Sequence, residues 1–463
     1  MKNLTLEHIA AACNGRYIGA GDKKSMCVSD ITTDSRKVTH GCLFVPIKGA
    51  RVDGHEYIGQ VMEAGALSVL SEKDLGEVDF PYILVESSLQ AVKDIAEYYL
   101  KKLNIPVVGI TGSVGKTSTK EMIAAVLSQK YKALKTQGNF NNELGLPLTV
   151  FRLREEDEIA VLEMGISDFG EMSRLAKVAR PHTGVITNIG LCHLEFLKNR
   201  DGVFKAKTEM FDYIQDGGHI ILNGDDDKLD QVSEVRGIQP LKFGLDQQNA
   251  VYADQIESKG LKGVGCVIHT PQGSFETLIP IPGIHMVYNA LAGTCAGLIY
   301  DLTLPEIKAG IESLQPVSGR FHIIETDRYT IIDDCYNANP VSMKASLEVL
   351  QDGLGRKVAL LGDMGELGEE EAKLHAQVGT FAGGLKLDAL YCAGPLSENL
   401  AKGARKANSQ LEIRHFADRE TMMEILPELL REGDTILVKA SHFMQFEKIV
   451  ELLSSDNAKK DCV

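Results

Sequence analysis

Apolar positions in this chain fall into two registers, and their alternation outlines the architecture before any single residue is considered. Apolar runs at 107–110, 159–162, 184–187 and 219–222 are separated by stretches in which apolar residues recur every three or four positions. Buried parallel strands read as runs and their crossover helices as helical periods, so residues 105–318 are predicted to form a parallel β-α-β sheet. Between 249 and 283 the runs shorten and are broken by Gly and Pro, which predicts antiparallel strands appended to that sheet. Two helical stretches follow before Gly319. Beyond it, runs at 329–333, 357–361, 388–392 and 435–438 again alternate with helices, predicting a C-terminal Rossmann-like, doubly wound domain over 319–463. Residues 1–104 mix brief strand-like runs at 42–47 and 82–85 with Ala-rich helical stretches and read as a small N-terminal α/β domain. The expected fold is α/β in three domains, which a length of 463 residues allows at ~150 per domain.

Composition narrows the partners. Hydrophobic residues make up 44% and charged residues 24%, the balance of an ordinary soluble globular protein. A net charge of -15 argues against non-specific binding of nucleic acid or an anionic membrane, so an anionic substrate needs local cationic sites. The nine cysteines form no C-x-x-C pair or metal-ligand spacing and read as free thiols in a reducing compartment. No signal peptide or bilayer-length run occurs, so a cytoplasmic protein without membrane insertion is expected. The acidic runs at 155–158 and 369–371 read as solvated turns or helix faces.

Candidate chemistry begins between the run ending at Ile110 and a helical pattern starting near Lys116, where the chain reads Thr111-Gly112-Ser113-Val114-Gly115-Lys116-Thr117-Ser118. A Gly-rich turn between strand and helix aims backbone N–H groups at the phosphates of a nucleotide. Lys116 would neutralise phosphate charge, and Thr117 would offer its hydroxyl to Mg2+. The spacing departs from G-x-x-x-x-G-K-[ST], since Ile110 stands at the first glycine position. Glu163 closes the run at 159–162, so its carboxylate would emerge at the carboxyl edge of the sheet near this loop. By itself it reads equally well as a solvated strand-end glutamate. His193 alone reads as a hydrogen-bonded loop residue, and Lys207 by periodicity as part of a solvated helix face.

Taken in order, the phosphate loop, Glu163-Met164-Gly165, Asn188-Ile189-Gly190-x-x-His193-Leu194-Glu195 and Ala206-Lys207-x-Glu209 resemble the Mur ligase superfamily of ATP-dependent amide-forming enzymes. The resemblance implies that Lys207 is carbamylated by CO2 and joins His193 at a second Mg2+, with Thr117 and Glu163 at the first. Asp34-Ser35-Arg36, Gly41-x-Leu43-Phe44-Val45 and Asp53-Gly54-His55 are similar to the superfamily's UDP-sugar-binding domain, and 139–147 to a substrate-facing loop. Ser35, Arg36, Asn139, Asn141, Asn142 and Lys439 are thereby implied in substrate binding. The resemblance also implies adenine recognition by Asn289, ATP-phosphate contact by Arg320, and approach of Asp334, Tyr336 and Asn337 to the nucleotide. Lys116, Lys207, His193 and Arg320 form the implied catalytic set. Taken alone, Asn289 could be a solvent-facing helix residue, Arg320 a structural salt-bridge partner and Lys439 a strand-end surface lysine.

Asp333-Asp334-Cys335-Tyr336-Asn337-Ala338-Asn339-Pro340, with Gly362-Asp363-Met364-x-Glu366-Leu367-Gly368, is similar to the family member that adds D-Ala-D-Ala to a UDP-N-acetylmuramoyl-tripeptide. That implies an acyl-phosphate mechanism and a place in peptidoglycan synthesis and cell division; a monomer is expected, although the sequence itself leaves the oligomeric state open. A folylpolyglutamate synthase-like ligase shares the central domain, but 336–340 and 34–36 argue against it. A nucleotide switch without ligase activity is the alternative from another class; no N-K-x-D guanine signature occurs. Three positions depart from the family pattern: Met286 replaces a common asparagine, Ala440 a usual glycine and His442 a frequent arginine.

Overall fold

The computed structural model describes residues 1, 3–49 and 52–455; positions 456–463 of the expected third domain lie outside the described residues. The strands gather into three sheets. The first comprises β1 (Arg16–Ile18), β2 (Ile31–Thr32), β3 (Leu43–Phe44), β4 (Ser68–Ser71) and β5 (Tyr82–Leu84), in the order β1-β5-β4-β3-β2. Strands β2 to β5 run parallel, and β1 closes one edge antiparallel. The apolar runs located β3 and β5 only. All four residues of β4 are buried, but serines stand at both its ends, leaving two apolar residues to signal it.

The central sheet comprises β6 (Val107–Thr111), β7 (Ala133–Lys135), β8 (Ile159–Glu163), β9 (Thr183–Ile186), β10 (His219–Asn223), β11 (Leu241–Gly244), β12 (Val251–Ser258), β13 (Val264–Thr270) and β14 (Gly273–Ile279). Their order is β14-β13-β12-β11-β10-β9-β6-β8-β7. From β7 across to β12 the pairing is parallel, and the β12–β13 and β13–β14 pairs are antiparallel. The expected antiparallel extension is therefore joined through a parallel β11–β12 pair that the run pattern did not predict. Alternation along β6 divides the core. Val108 and Ile110 face Met122, Val126 and Leu291 of the helices Lys116–Leu127 and His285–Ile299. Val107 joins the opposite core with Val150 and Leu175. The helix Ser88–Leu103 packs into that second core together with Ile83 of the first sheet, so apolar packing continues across Asn104, which ends the helix in a left-handed conformation at φ 53°.

The third sheet comprises β15 (His322–Glu325), β16 (Tyr329–Asp333), β17 (Lys357–Gly362), β18 (Ala389–Ala393), β19 (Glu412–Phe416) and β20 (Asp434–Lys439), in the order β15-β16-β20-β17-β18-β19. All are parallel except β15 at one edge. Helices cover both faces: Leu347, Val378 and Leu400 pack on one, Met422, Leu426 and Ile449 on the other. Of the acidic runs, 369–371 is exposed as expected, whereas Asp157 in 155–158 is buried and accepts the Arg154 N–H at 2.7 Å. Among the described residues no helix is long and apolar enough to cross a membrane, and the cysteines from Cys13 to Cys392 are free thiols.

Candidate active site

In the central sheet the chain passes from β6 to strands on one side and then crosses to the other, which places a switch point at the carboxyl end of β6. The phosphate loop occupies this position. Gly112 has no room for a side chain, since a Cβ there would lie 1.8 Å from Thr187 Oγ1. Gly115, at φ 78°, opens the helix Lys116–Leu127. Residues following β9 pin the loop: Ser113 N–H donates to Asn188 O at 3.1 Å, Val114 N–H to Asn188 Oδ1 at 3.1 Å, and Thr187 Oγ1 to Val114 O at 2.7 Å. Lys116 Nζ lies across the loop and donates to Gly112 O at 2.9 Å.

Glu163 ends β8 beside the loop and is 2% exposed. Its Oε1 accepts from Thr117 Oγ1 at 3.2 Å and from Asn141 Nδ2 at 2.8 Å. Among the described residues its Oε2 has no hydrogen bond; buried Lys120 lies 3.8 Å away. A buried carboxylate oxygen left open beside a hydroxyl, at the mouth of a phosphate loop, is a donor set suited to Mg2+. Among the described residues no three His, Cys, Asp or Glu side chains converge on one point. That is compatible with a nucleotide-borne Mg2+, which takes one or two protein carboxylates and fills its shell with phosphate and water.

Lys207 does not lie on a solvated face. It is 0% exposed, and among the described residues its Nζ has no hydrogen-bond partner. Burial pushes its amine down to about 8, with the charge of Lys116 acting in the same direction. An accessible neutral fraction near neutral pH is what carbamylation requires. Periodicity did contain the signal: Val203, Lys207 and Met210 fall on one buried helical stripe, while Lys205 is exposed. His193 has left-handed backbone at φ 51°, and its Nδ1 lies 2.6 Å from Glu366 Oε2 of the third domain.

A cavity of about 550 Å3 opens between the loop and the third sheet. Ser113 to Ser118, Asn289, Arg320, Asp334, Asn337 and Lys439 all line it, which gathers most of the predicted nucleotide set. Asn289 is buried, accepting from Thr119 Oγ1 at 2.7 Å and donating to Met286 Sδ at 3.2 Å, so both ends of its amide are oriented. Among the described residues Arg320 has no salt-bridge partner; its guanidinium lies 4.1 Å from the Tyr336 ring centre, and that ring stacks on His442 at 5.4 Å. Lys439 is not a surface residue. Buried to 1% exposure, it pairs with Asp334 and donates to Asn337 O at 3.0 Å. Phe243, His285, Tyr288 and Phe321 also line the cavity and were not singled out from the sequence. Their signal was weak, because each sits in an apolar stretch that reads as core.

The other substrate candidates do not line this cavity. Arg36 is exposed and forms a bidentate pair with Asp34, at 2.9 Å for both contacts, which holds the Asp34 carboxyl down to about 2. Ser35 shares that turn. Asn139 interacts with the Tyr336 side chain, and Asn142 Oδ1 is engaged by the Gly145 N–H at 2.8 Å at the start of the helix Gly145–Phe151.

A P-loop on a parallel sheet, facing a doubly wound domain across a nucleotide-sized cavity, defines a nucleotide-dependent enzyme of the multidomain α/β class. The sequence matches the Mur ligase family, catalytic domain over 28–115, the Mur ligase middle domain over 110–297 and the Mur ligase, glutamate ligase domain over 319–442. It is 36% identical over 452 residues to the UDP-N-acetylmuramoyl-tripeptide--D-alanyl-D-alanine ligase of Bacillus subtilis, covering 96% of this chain and 97% of that one. Its structure is similar to MurF from Acinetobacter baumannii, with a TM-score of 0.89 at 31% identity, covering 98% of this chain and 99% of that one. MurF ligase from Thermotoga maritima in complex with ADP gives 0.82 at 30% identity, with 93% and 98% covered. This chain belongs to the Mur ligase family.

Proposed function

We propose that this chain joins D-Ala-D-Ala to the terminal carboxylate of UDP-N-acetylmuramoyl-tripeptide, using ATP, and so completes the pentapeptide precursor of peptidoglycan in the cytoplasm. The observation that carries this reading is the cavity between phosphate loop and third sheet, in a chain similar along its whole length to ligases of that name. A carboxylate is a poor electrophile without a leaving group, and ATP supplies one. The tripeptide carboxylate attacks the γ-phosphate to give an acyl phosphate and ADP; the dipeptide amine attacks the acyl carbon, and phosphate leaves.

Because two anions must meet, the protein's work is positioning and charge neutralisation. Lys116 and Arg320 bring cations to the phosphates, Asn289 reads the adenine edge with its oriented amide, and Asp334, Tyr336 and Asn337 reach the nucleotide from the third domain. Thr117 and Glu163 hold one Mg2+, and His193 with carbamylated Lys207 the other; when bound, these ions offset the charge of the phosphates and the attacking carboxylate. Ser35 and Arg36 take the uridine nucleotide end of the substrate, and Asn139 and Asn141 serve the peptide side; Asn142, engaged at a helix start, and Lys439, paired with Asp334, hold the segments around it. The chain acts as a monomer.

The test is phosphate release by the purified protein with Mg-ATP, tripeptides ending in diaminopimelate or lysine, and D-Ala-D-Ala, omitting each in turn, with mass spectrometry of the product. Pentapeptide that requires every component is expected. A protein that binds ATP but couples neither tripeptide contradicts the reading.

A further inference from the structure

The roles above leave one carboxylate at the domain junction unused. Glu366, on the loop after β17, brings its Oε2 to 2.6 Å from His193 Nδ1 in the central domain. Both residues have left-handed backbone, at φ 61° and 51°, a conformation that non-glycine residues keep only where the surroundings hold them. The Glu366 loop is held from two sides. Met364 N–H donates to His375 Nε2 at 2.9 Å, and His375 Nδ1 donates to Glu371 O at 2.7 Å, which fixes a fully buried, neutral imidazole under the loop. Gly365 N–H donates to Ser441 Oγ at 2.8 Å. On the other side, Leu197 N–H donates to His193 O at 2.9 Å.

We propose that Glu366 is a positioning residue that orients His193 for a divalent cation across the domain boundary. The carboxylate accepts the Nδ1 proton, selects that tautomer and leaves Nε2 as the ligating atom. A carboxylate on the far nitrogen of a metal-ligating histidine also raises its basicity. The inference rests on the ligase reading, in which His193 is a metal ligand, and adds a consequence: the second cation site is complete only with the third domain in the arrangement seen here. Metal binding and domain closure are thereby coupled through one carboxylate–imidazole contact. Glu366 is more than half exposed, so its replacement opens no cavity in the core.

Mn2+ titrations followed by electron paramagnetic resonance, with a non-hydrolysable ATP analogue and tripeptide present, test this in wild type, Glu366→Gln and Glu366→Ala. The nucleotide-borne ion should bind equally in all three. The second ion should bind roughly 10–100-fold more weakly in Glu366→Ala. Glu366→Gln should lie between, because an amide oxygen still accepts the Nδ1 proton without bringing charge. In turnover, kcat should fall in parallel while KM for D-Ala-D-Ala stays unchanged. Wild-type affinity for the second ion in Glu366→Ala overturns the proposal, even if turnover falls, and would leave Glu366 as a domain-closing contact. A wild-type protein that forms no amide defeats the ligase reading instead, and the Mn2+ comparison still decides whether Glu366 acts on His193.

Discussion

Lys207 and Lys439 are both withdrawn from water, at 0% and 1% exposure, yet their surroundings differ in kind. Lys439 pairs with Asp334 and donates to two backbone carbonyls, tying β20 to the loop after β16. Among the described residues nothing hydrogen-bonds the Lys207 amine. Burial pulls both amines down, but only at Lys439 does a carboxylate pull the other way. A buried cation with its counterion is architecture, because neither partner can be removed without stranding the other. A buried amine with nothing to bond is costly unless its chemistry is used. The contrast places Lys439 among the contacts that hold the third-domain side of the cavity, and leaves Lys207 with the buried, unbonded amine that the proposed reaction with CO2 calls for.

Substitutions can break this contrast. The largest effect is expected on folding: Lys439→Met strands the Asp334 carboxylate and should cost about 3–5 kcal/mol in denaturant unfolding. Adding Asp334→Asn should return part of that loss, and a Lys439→Met protein as stable as wild type would place Lys439 with Lys207. For Lys207 the readout reverses. Lys207→Met should keep or raise the melting temperature, since an unpaired polar group is replaced by an apolar one, while kcat falls on the order of 10²–10³-fold. Lys207→Ala should recover partially with a short added carboxylate; full activity without one removes the carbamate role.

A third expectation concerns pH. In metal-free protein the Lys207 amine, pushed down to about 8 from its ordinary value of 10.5, holds no proton between those limits, whereas the unfolded chain does. Stability should therefore rise with pH across that window and be constant in this respect below about 8. Lys207→Met lacks this rise, so its advantage over wild type should shrink by roughly 3 kcal/mol between pH 8 and 10.5. Urea unfolding at several pH values gives the difference, and parallel curves would mean the amine is not desolvated. The smallest effect belongs to Asn142, whose side-chain oxygen serves a helix start. Asn142→Ala should cost about 1 kcal/mol with near-normal KM for the tripeptide; a large rise in KM would return it to substrate contact.

Much of this was legible in the sequence wherever apolar residues run together or helices keep their period. The strands β6, β8, β10, β17 and β20 lie within a residue or two of their predicted limits. Edge strands with few apolar residues were missed: β7 has three half-buried residues, and β19 is Glu412-Ile413-Arg414-His415-Phe416, with charge at alternate positions. The phosphate loop was readable because its spacing is local. The pairing of Asn141 and Thr117 on Glu163 was not, since it depends on a loop folding back over the end of β8. Lys207 was misplaced by its exposed neighbour Lys205, although the stripe through Val203 and Met210 carried the correct face. Nothing in the spacing joins Glu366 to His193, because domains meet through tertiary packing that no local pattern encodes.

The proposed chemistry passes one oxygen from substrate to phosphate, and that transfer can be followed. Tripeptide labelled with 18O in its terminal carboxylate should be incubated with the protein, Mg-ATP and D-Ala-D-Ala, and the released phosphate analysed by mass spectrometry. Attack of the carboxylate on the γ-phosphate predicts one 18O in each phosphate formed along with pentapeptide. Phosphate free of label, with pentapeptide still formed, would contradict the acyl-phosphate route through this cavity.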